Sequence, residues 1–367
     1  MLLTRLSIQN FKGIASCDFE EKDLARINLL IGKNDSGKST IMEAIYYMFQ
    51  ELSAPPKLQE IMSRRTNVFC GGSELWFRYR MDNQIAITVF FDTVELQWRV
   101  ETLRQRGQIA SGTYQRIEIR SEIPTKEGSP EIHIEKGWIP LTSTIYSGRD
   151  FSLTSGTVSA VDTSLHAEEE LKNALLKYAS GASYIDCTMK SKTMEIERML
   201  ARFKIAGTER KFGGILDDVY GKGKEWEFLP QLENPDDKRL AIREAGQLKY
   251  FSDFGDGFRC CVGILGTAMS INNSVLFVEE IESHQHSGSI SKLIRHLVEI
   301  ARENDLQVFL STHSLEVWES LSRGVYVKDI DKEKKEFRCL LIERDAETGN
   351  VSVECTDDVQ KITKALQ

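Results

Sequence analysis

The feature that most constrains this chain is a glycine-rich loop that follows a short apolar run. The run Ile27–Ile31 predicts a buried strand, and residues 39–50 predict a helix. The loop between them matches the phosphate-binding pattern G-x-x-x-x-G-K-[ST]. It consists of Gly32, Lys33, Asn34, Asp35, Ser36, Gly37, Lys38, Ser39 and Thr40. Because loop N–H groups at a helix N-terminus bind phosphate oxygens, this order of elements predicts an α/β fold with a P-loop.

The residue types in the loop predict a nucleotide site. Gly32 and Gly37 let the backbone approach a ligand closely. Lys38 is expected to reach the β- and γ-phosphates, and the Ser39 hydroxyl is expected to ligate Mg²⁺. A chance match in a turn rich in Gly, Lys and Ser is the alternative, and the flanking strand and helix argue against it. The loop therefore predicts ATP and Mg²⁺ as ligands.

Two later strands end in polar side chains. The apolar run Val275–Val278 is followed by Glu279 and Glu280, which is the Walker B pattern with Glu in place of the commoner Asp. We expect Glu279 to enter the Mg²⁺ shell and Glu280 to act as general base toward water. The run 307–310 leads to His313, which is placed to contact a γ-phosphate. The alternatives are a solvated strand end for the carboxylates and a structural role for the histidine.

A second glycine segment, Gly255, Asp256 and Gly257, precedes a predicted helix just before the Walker B strand. Two glycines at a helix start form an anion site. On this segment alone, an ordinary turn with Asp256 as helix N-cap is the better interpretation. Its position relative to Walker B favours a second nucleotide-binding segment.

Bulk composition narrows the class of protein. A net charge of −8 excludes a wholly basic nucleic-acid binder, although a local basic groove stays open. No apolar run is long enough for a membrane span, and the N-terminal residues do not resemble a signal peptide. The seven cysteines form no C-x-x-C pair, and His284 with His286 makes a weak metal set. We therefore expect a cytoplasmic protein with reduced thiols.

The rest of the pattern predicts a mixed sheet, an antiparallel β-lobe at about 73–145 and a short helical insertion. Strands are predicted at 2–9, 75–79, 85–91, 96–100, 115–120, 131–134, 226–229, 239–243, 274–278 and 306–310, with two or three more in the tail. Helices are predicted at 166–179, 187–204, 288–304 and 314–322, after Gly257 and near 357–366, and 213–223 as a loop or short helix. The expected domains are a discontinuous head, 1–165 with 212–367, and an insertion at 166–211.

Residues 190–211, the second half of the insertion, carry a local net charge of +4. The charged residues of this run are Lys190, Lys192, Glu195, Glu197, Arg198, Arg202, Lys204, Glu209, Arg210 and Lys211. Such a segment could bind nucleic-acid phosphates. The alternative is a solvated helix with internal charge pairs, such as Glu195 with Arg198, and this alternative is slightly favoured.

At this point the chain resembles ABC-type ATPases of the OLD, RecF and SMC group. Residues 6–14 are similar to the first strand and "NF(R/K)G" turn of that group. Residues 279–286, Glu-Glu-Ile-Glu-Ser-His-Gln-His, resemble the "EEPExHxH" run of OLD-like ATPases, and residues 311–314 match their "STHS". The resemblance covers about residues 1–50 and 225–325. It departs at Ile281 and Ser287, where proline is usual, and in the form of the 255–257 segment.

The resemblance implies a P-loop fold of ABC-ATPase type and a head-to-head homodimer or higher oligomer. Each ATP would lie between the P-loop of one subunit and residues 255–257, the signature segment, of the other. No glutamine can be assigned to the Q-loop; Gln50, Gln59 and Gln115 are candidates. The insertion is too short for an SMC coiled-coil arm.

The functional expectation is an ATPase that works through a partner. Full-length OLD proteins carry a Toprim nuclease, whereas residues 314–367 carry no convincing nuclease carboxylates. We therefore expect the ATP-driven dimer to regulate a separately encoded nuclease or toxin in phage defence. The alternatives are a RecF-like DNA-repair ATPase and a nucleotide-sensing scaffold with negligible turnover.

Overall fold

The computed structural model describes residues 1–20, 23–52, 77–80, 83–91, 94–104, 111–121, 132–140, 165–186, 193–221, 225–230, 238–244, 246–323 and 336–366. Backbone contacts divide the chain into two units. We call Met1–Ala182 with Phe337–Ala365 the P-loop unit, and Ser183–Glu336 the Walker B unit. The predicted division into a head and an insertion at 166–211 stays a prediction.

The strands are β1 Arg5–Phe11, β2 Ile14–Asp18, β3 Ile27–Ile31, β4 Ile85–Phe90, β5 Val94–Arg104, β6 Ser111–Ser121, β7 Ile132–Pro140, β8 Ser183–Ile185, β9 Glu225–Pro230, β10 Lys238–Glu244, β11 Gln247–Tyr250, β12 Val275–Val278, β13 Gln307–Thr312, β14 Phe337–Arg344 and β15 Asn350–Cys355. The helices are α1 Lys38–Leu52, α2 Leu165–Ser180, α3 Thr193–Ala206, α4 Glu209–Tyr220, α5 Asp256–Ser270, α6 Ser287–Glu303, α7 Leu315–Arg323 and α8 Val359–Leu366. None of these helices is long and apolar enough to cross a membrane.

The sheet of the P-loop unit is mixed and runs β7-β6-β5-β4-β1-β2-β15-β14-β3. Strands β4 to β7 form an antiparallel series that joins β1 through β4. At the other end, β14 runs parallel to β3 and antiparallel to β15. The predicted fold class, a mixed sheet with an antiparallel lobe, is confirmed.

Burial explains why β3 carries the P-loop. All five of its side chains are buried, and its one polar residue, Asn28, exchanges hydrogen bonds of 2.8 Å with the backbone of Ala25. Helix α1 follows and buries Ile41, Met42 and Ile45. A rigid strand before the loop and a packed helix after it fix both ends of the P-loop.

The Walker B unit contains a parallel set in the order β13-β12-β8 and an antiparallel sheet β11-β10-β9. Helix α6 packs against α4, α5 and α7. Its apolar face recurs with helical spacing and buries Leu293, Ile294, Leu297 and Val298.

One predicted strand is corrected, one helix is longer than predicted, and some short strands were not predicted. Residues 77–79 form a 3₁₀ turn, with Arg78 at φ 52°, and not a strand. Residues 209–220 form a full helix, α4, where a loop or short helix was predicted at 213–223. Strands β2, β8 and β11 were not predicted. The three or four residues of β8 and β11 are too few to show periodicity. Gln59, Lys190, Lys192 and residues 187–192 of the predicted helix lie outside the described residues.

Candidate nucleotide site

The P-loop is closed around its own lysine. Lys38 is buried, and its Nζ donates to the carbonyl oxygens of Gly32 at 2.7 Å and of Lys33 at 2.8 Å. Ser36 Oγ lies 3.4 Å from the same nitrogen. The side chains of Lys33, Asn34 and Asp35 are exposed, and Ser39 and Thr40 are partly buried in the first turn of α1.

Two glycines are required by the shape of this loop. A Cβ on Gly32 would lie 2.3 Å from the Ile342 carbonyl oxygen of β14 and 2.7 Å from Ser36 Oγ. Gly37 has φ +100°, a conformation that side chains rarely adopt. The glycines of the motif therefore serve both the packing of the loop on β14 and its turn into α1.

An arginine outside the motif holds the loop at its exposed turn. Asp35 has a left-handed φ of 63°, and its carboxylate accepts a 2.8 Å hydrogen bond from Arg344 Nη1 at the end of β14. Beside this pair lies a cavity of about 620 Å³, lined by residues 32–36, residues 341–344 and, on α8, Lys361 and Lys364. Among the described residues, the lining contains four cationic side chains, of Lys33, Arg344, Lys361 and Lys364, and three carboxylates, of Asp35, Glu343 and Glu354. Arg344 pairs with Asp35, and Lys361 pairs with Glu354.

The turn after β1 carries a largely buried ion pair. Lys12, at φ 48°, donates to Glu43 Oε2 at 2.8 Å and to the Tyr47 hydroxyl at 2.9 Å. Burial by itself lowers the pKa of Lys12, but the charge of Glu43 and the hydrogen bonds to Glu43 and Tyr47 raise that pKa above its ordinary value of 10.5. Lys12 therefore stays charged at neutral pH and ties the turn to α1.

In the Walker B unit, Glu279 is the first residue after β12. Its backbone N–H donates to the Ile185 carbonyl at 2.8 Å, which continues the pairing with β8. Its Oε1 accepts a 2.6 Å hydrogen bond from the Tyr184 hydroxyl. A carboxylate is a hard oxygen donor of the kind that Mg²⁺ prefers, so the chemistry of the Glu279 side chain suits that ion. The same is true of the Ser39 hydroxyl in the P-loop unit.

Glu280 has strained backbone and several supporting contacts. Its φ is 45°, which is uncommon for a residue with a side chain and is concentrated at functional sites. Its N–H donates to Ser311 Oγ at 3.0 Å, and its Oε2 accepts from Ser283 Oγ at 3.1 Å. The carboxylate is half exposed and lies 3.9 Å from His313 Nε2. A held but solvent-accessible carboxylate can take a proton from water.

His313 follows β13 and is held through its backbone. Its N–H donates to Glu282 Oε1 at 2.7 Å, so the segment after Walker B and the end of β13 are joined. The imidazole remains one-third exposed and faces Glu280. This pairing of Glu280 with His313 agrees with the predicted roles of base and phosphate contact, which remain predictions.

The signature segment, residues 255–257, starts α5 and packs on the loop that follows Glu280. Gly255 is the N-cap residue without a side-chain cap bond, and Asp256 begins the helix and pairs with Arg259. A Cβ on Gly257 would lie 2.2 Å from the His284 carbonyl oxygen. The Gly257 carbonyl accepts from Gln285 Nε2 at 2.8 Å and from the Tyr220 hydroxyl at 3.0 Å.

The structure thus gathers the predicted residues into two sets. Residues 32–40 lie together in the P-loop unit, and Glu279, Glu280, His313 and residues 255–257 lie in the Walker B unit. Sequence reasoning missed Arg344 and Tyr184, and no local pattern marks them. Glu282 and Ser311 stood in quoted motifs without an assigned role. Of the Q-loop candidates, Gln50 is buried in α1 and Gln115 lies in β6.

Some charged residues of the segment 166–211 form ion pairs with residues outside it. Lys211 pairs with Glu303, and the buried Glu197 pairs with Arg239 of β10 at 3.2 Å. Arg198, Arg202, Lys204 and Arg210 are exposed. These four side chains remain the nucleic-acid candidates of the segment.

Comparisons with known proteins show which family and fold this chain is similar to. A family model described as "AAA domain, putative AbiEii toxin, Type IV TA system" matches residues 27–319. An ATP/GTP phosphatase of Helicobacter pylori is 22% identical over 366 residues, which cover 92% of each chain. A RecF DNA replication and repair protein of Francisella tularensis is 34% identical over 70 residues, 19% of this chain and 20% of the relative. The solved SMC head bound to the C-winged helix domain of ScpA covers 98% of this chain and 99% of its own, with a TM-score of 0.50 and 11% identity, which is a similarity of fold.

Proposed function

The chain belongs to this AAA-domain family, ATPases of the RecF- and SMC-like kind, and on that premise we propose that it hydrolyses ATP to ADP and phosphate with Mg²⁺. The Helicobacter pylori relative, which matches over nearly its whole length, is named for the same chemistry. The glycine loop that leads into α1 and the two carboxylates that follow β12 support this proposal. The proposal assigns each of them one task.

In this mechanism the P-loop binds and orients the phosphates. Lys38 exchanges the carbonyls of Gly32 and Lys33 for β- and γ-phosphate oxygens, and the loop N–H groups hold the remaining charge. Ser39 and Glu279 would be the ligands of Mg²⁺, and that ion would supply charge neutralisation at the phosphates. The lysine and the loop together place the γ-phosphate for in-line attack.

Glu280 and His313 act on the attacking water. Glu280 accepts the proton as the water oxygen bonds to the γ-phosphorus and the bond to the bridging oxygen of ADP breaks. His313 contacts the γ-phosphate and remains beside Glu280. The observation that carries this proposal is the strained φ of 45° at Glu280, together with the Ser283 and Ser311 contacts that hold it.

The test is Glu280→Gln, measured by phosphate release and by binding of a fluorescent ATP analogue. We expect hydrolysis to fall by about 10²–10⁴-fold, as for loss of a general base, while nucleotide binding is retained. Glu303→Gln, on the far end of α6, is the matched control and should hydrolyse as the parent does. Normal hydrolysis by Glu280→Gln, with Glu279→Gln inactive, would show that the two roles are exchanged.

We further propose that ATP closes a homodimer and that residues 255–257 act on the partner's nucleotide. The packing of Gly257 on the loop after Glu280 supports this proposal, because that contact links the signature segment to the carboxylates of its own subunit. Mixing Lys38→Ala with Gly257→Trp subunits should restore partial activity through one intact composite site. A mixed dimer as inactive as either parent contradicts action across the dimer.

The effector is proposed to be a separately encoded nuclease or toxin that the dimer regulates in anti-phage defence. The family description, which names a toxin and a toxin–antitoxin system, supports a two-component arrangement. Within the described part of the chain, strands β14 and β15 after His313 serve the sheet of the P-loop unit. Co-expression with the product of the neighbouring gene should give a complex whose toxicity requires Glu280. If this chain is toxic when it is expressed without the neighbouring gene product, the proposal is contradicted.

A RecF-like role on DNA is the second candidate, favoured by the 70-residue match to RecF. Stimulation of ATP hydrolysis by duplex or single-stranded DNA would support it. The stimulation should then fall when Arg198 and Arg202, which are exposed on α3, are both changed to Gln. ATP binding without measurable turnover would instead indicate a nucleotide-sensing scaffold.

A further inference from the structure

A tyrosine from the strand beside Walker B contacts the first of its carboxylates. Strand β8 pairs in parallel with β12, with Tyr184 opposite Phe277 and Ile185 opposite Val278. Residues two apart in a strand lie on the same face, so Phe277 and Glu279 share the face on which Tyr184 lies. The tyrosine ring reaches forward along this face, and its hydroxyl donates to Glu279 Oε1 at 2.6 Å.

The hydroxyl is held in place by packing. Tyr184 is buried, and its ring stacks on Phe277 with centroids 5.8 Å apart and planes 26° apart. Phe277 stacks in turn on Phe309 of β13 at 5.3 Å and 25°. Three aromatic rings in series leave the phenol little freedom, so the position of its oxygen is fixed before any ligand binds.

Glu279 needs such a contact more than an aspartate would. Glutamate carries one more methylene than the Asp that is commoner at this position, and therefore one more rotatable bond between the strand and the carboxylate. The 2.6 Å contact restrains that bond and selects the orientation of the carboxylate plane. An Asp side chain, shorter by about 1.5 Å for the one bond it lacks, would end short of the phenol.

We propose that Tyr184 is a positioning residue that holds Glu279 in the orientation in which it enters the Mg²⁺ shell. This proposal rests on the function proposed above. It also accounts for the use of Glu at this position, since the longer side chain and the phenol act as a pair. Partners of metal ligands commonly change metal affinity or activity by about 10–100-fold when removed.

The experiment uses Tyr184→Phe, which keeps the stacked ring and removes only the hydroxyl. Two quantities are measured on the full chain: Mn²⁺ affinity of the ATP-bound protein by electron paramagnetic resonance, and the Mg²⁺ concentration for half-maximal hydrolysis. The Mn²⁺ affinity should fall by about 10-fold or more, and the Mg²⁺ concentration for half-maximal hydrolysis should rise by a similar factor. Metal-free ATP binding and the unfolding temperature should change little. Tyr178→Phe, a buried tyrosine of the P-loop unit, is the matched control.

The same change in a Glu279→Asp background separates positioning from a structural role. Because the shorter aspartate side chain of that variant would not reach the phenol, adding Tyr184→Phe there should leave metal affinity unchanged. An equal loss in both backgrounds, or no loss in either, overturns the proposal, and this comparison remains decisive if Tyr184→Phe lowers stability. A parent protein without Mg²⁺-dependent hydrolysis, but with these metal affinities as expected, would instead refute the proposed function alone.

Discussion

Removing the charge of Glu43 tests how strongly the buried ion pair holds the turn after β1. The side chains of Lys12 and Glu43 are only 21% and 8% exposed, and Glu43→Gln leaves the lysine charge without its carboxylate. Breaking a buried pair from one side costs about 3–5 kcal/mol. Because Tyr47 still accepts from Lys12, and because Lys12 retains some solvent contact, we expect about 2–3 kcal/mol.

The expected effect is large enough to measure by thermal unfolding. For a unit of this size, about 2–4 °C of unfolding temperature corresponds to each kcal/mol, so the transition of the P-loop unit should fall by about 4–12 °C. The matched control is Lys211→Gln, which breaks the half-exposed pair with Glu303 and should cost about 1 kcal/mol or less. In a Lys12→Met background, Glu43→Gln should cost far less than in the parent.

The pH dependence has a definite sign. The pKa of Lys12 is raised in the folded protein above its ordinary value of 10.5. The stabilisation by the Lys12–Glu43 pair is therefore complete below pH 10.5 and is lost as the pH rises through the pKa of Lys12 in the folded protein. The difference in free energy of unfolding between the parent and Glu43→Gln should therefore stay constant from about pH 7 to 9 and become smaller above pH 10.5. An unchanged unfolding temperature for Glu43→Gln, or an equal cost with Lys12→Met, refutes the argument.

Three further predictions concern the site itself. Lys38→Ala should reduce ATP affinity or turnover by at least about 10-fold, measured by analogue binding and phosphate release, and unchanged turnover in a clean preparation would contradict the P-loop assignment. Gly257→Ala places a Cβ 2.2 Å from the His284 carbonyl oxygen. This substitution should cost about 1–3 kcal/mol in the free energy of unfolding and should lower the rate of hydrolysis. The control is Gly214→Ala, whose Cβ would lie within 4 Å of no described residue beyond its own helix, and this variant should show neither loss. Glu282→Gln weakens the bond that holds the His313 backbone and should lower kcat by about 10–10²-fold with ATP affinity retained; a loss confined to affinity would argue against a positioning role.

The correction at residues 77–79 shows where local pattern failed. The segment 75–79 favours a strand because it is rich in aromatic residues. In the structure, the Phe77 ring fills the space beside Gly349, where a Cβ would lie 2.3 Å from it, and Arg78 donates to the Glu347 carbonyl. These contacts join residues about 270 positions apart, and they overrule the local preference for a strand.

The sequence by itself determined the parts of this protein that depend on local backbone geometry. A buried strand, a glycine loop and a helix form the P-loop wherever they occur in that order, and the apolar strand before Glu279 and Glu280 is equally local. Tertiary structure decided which side chains support those motifs. Arg344 meets Asp35 across 309 residues, and Tyr184 meets Glu279 across 95, because the order of strands in each sheet brings them together. No periodicity or spacing encodes such pairs, since they depend on which strands become neighbours and in what register.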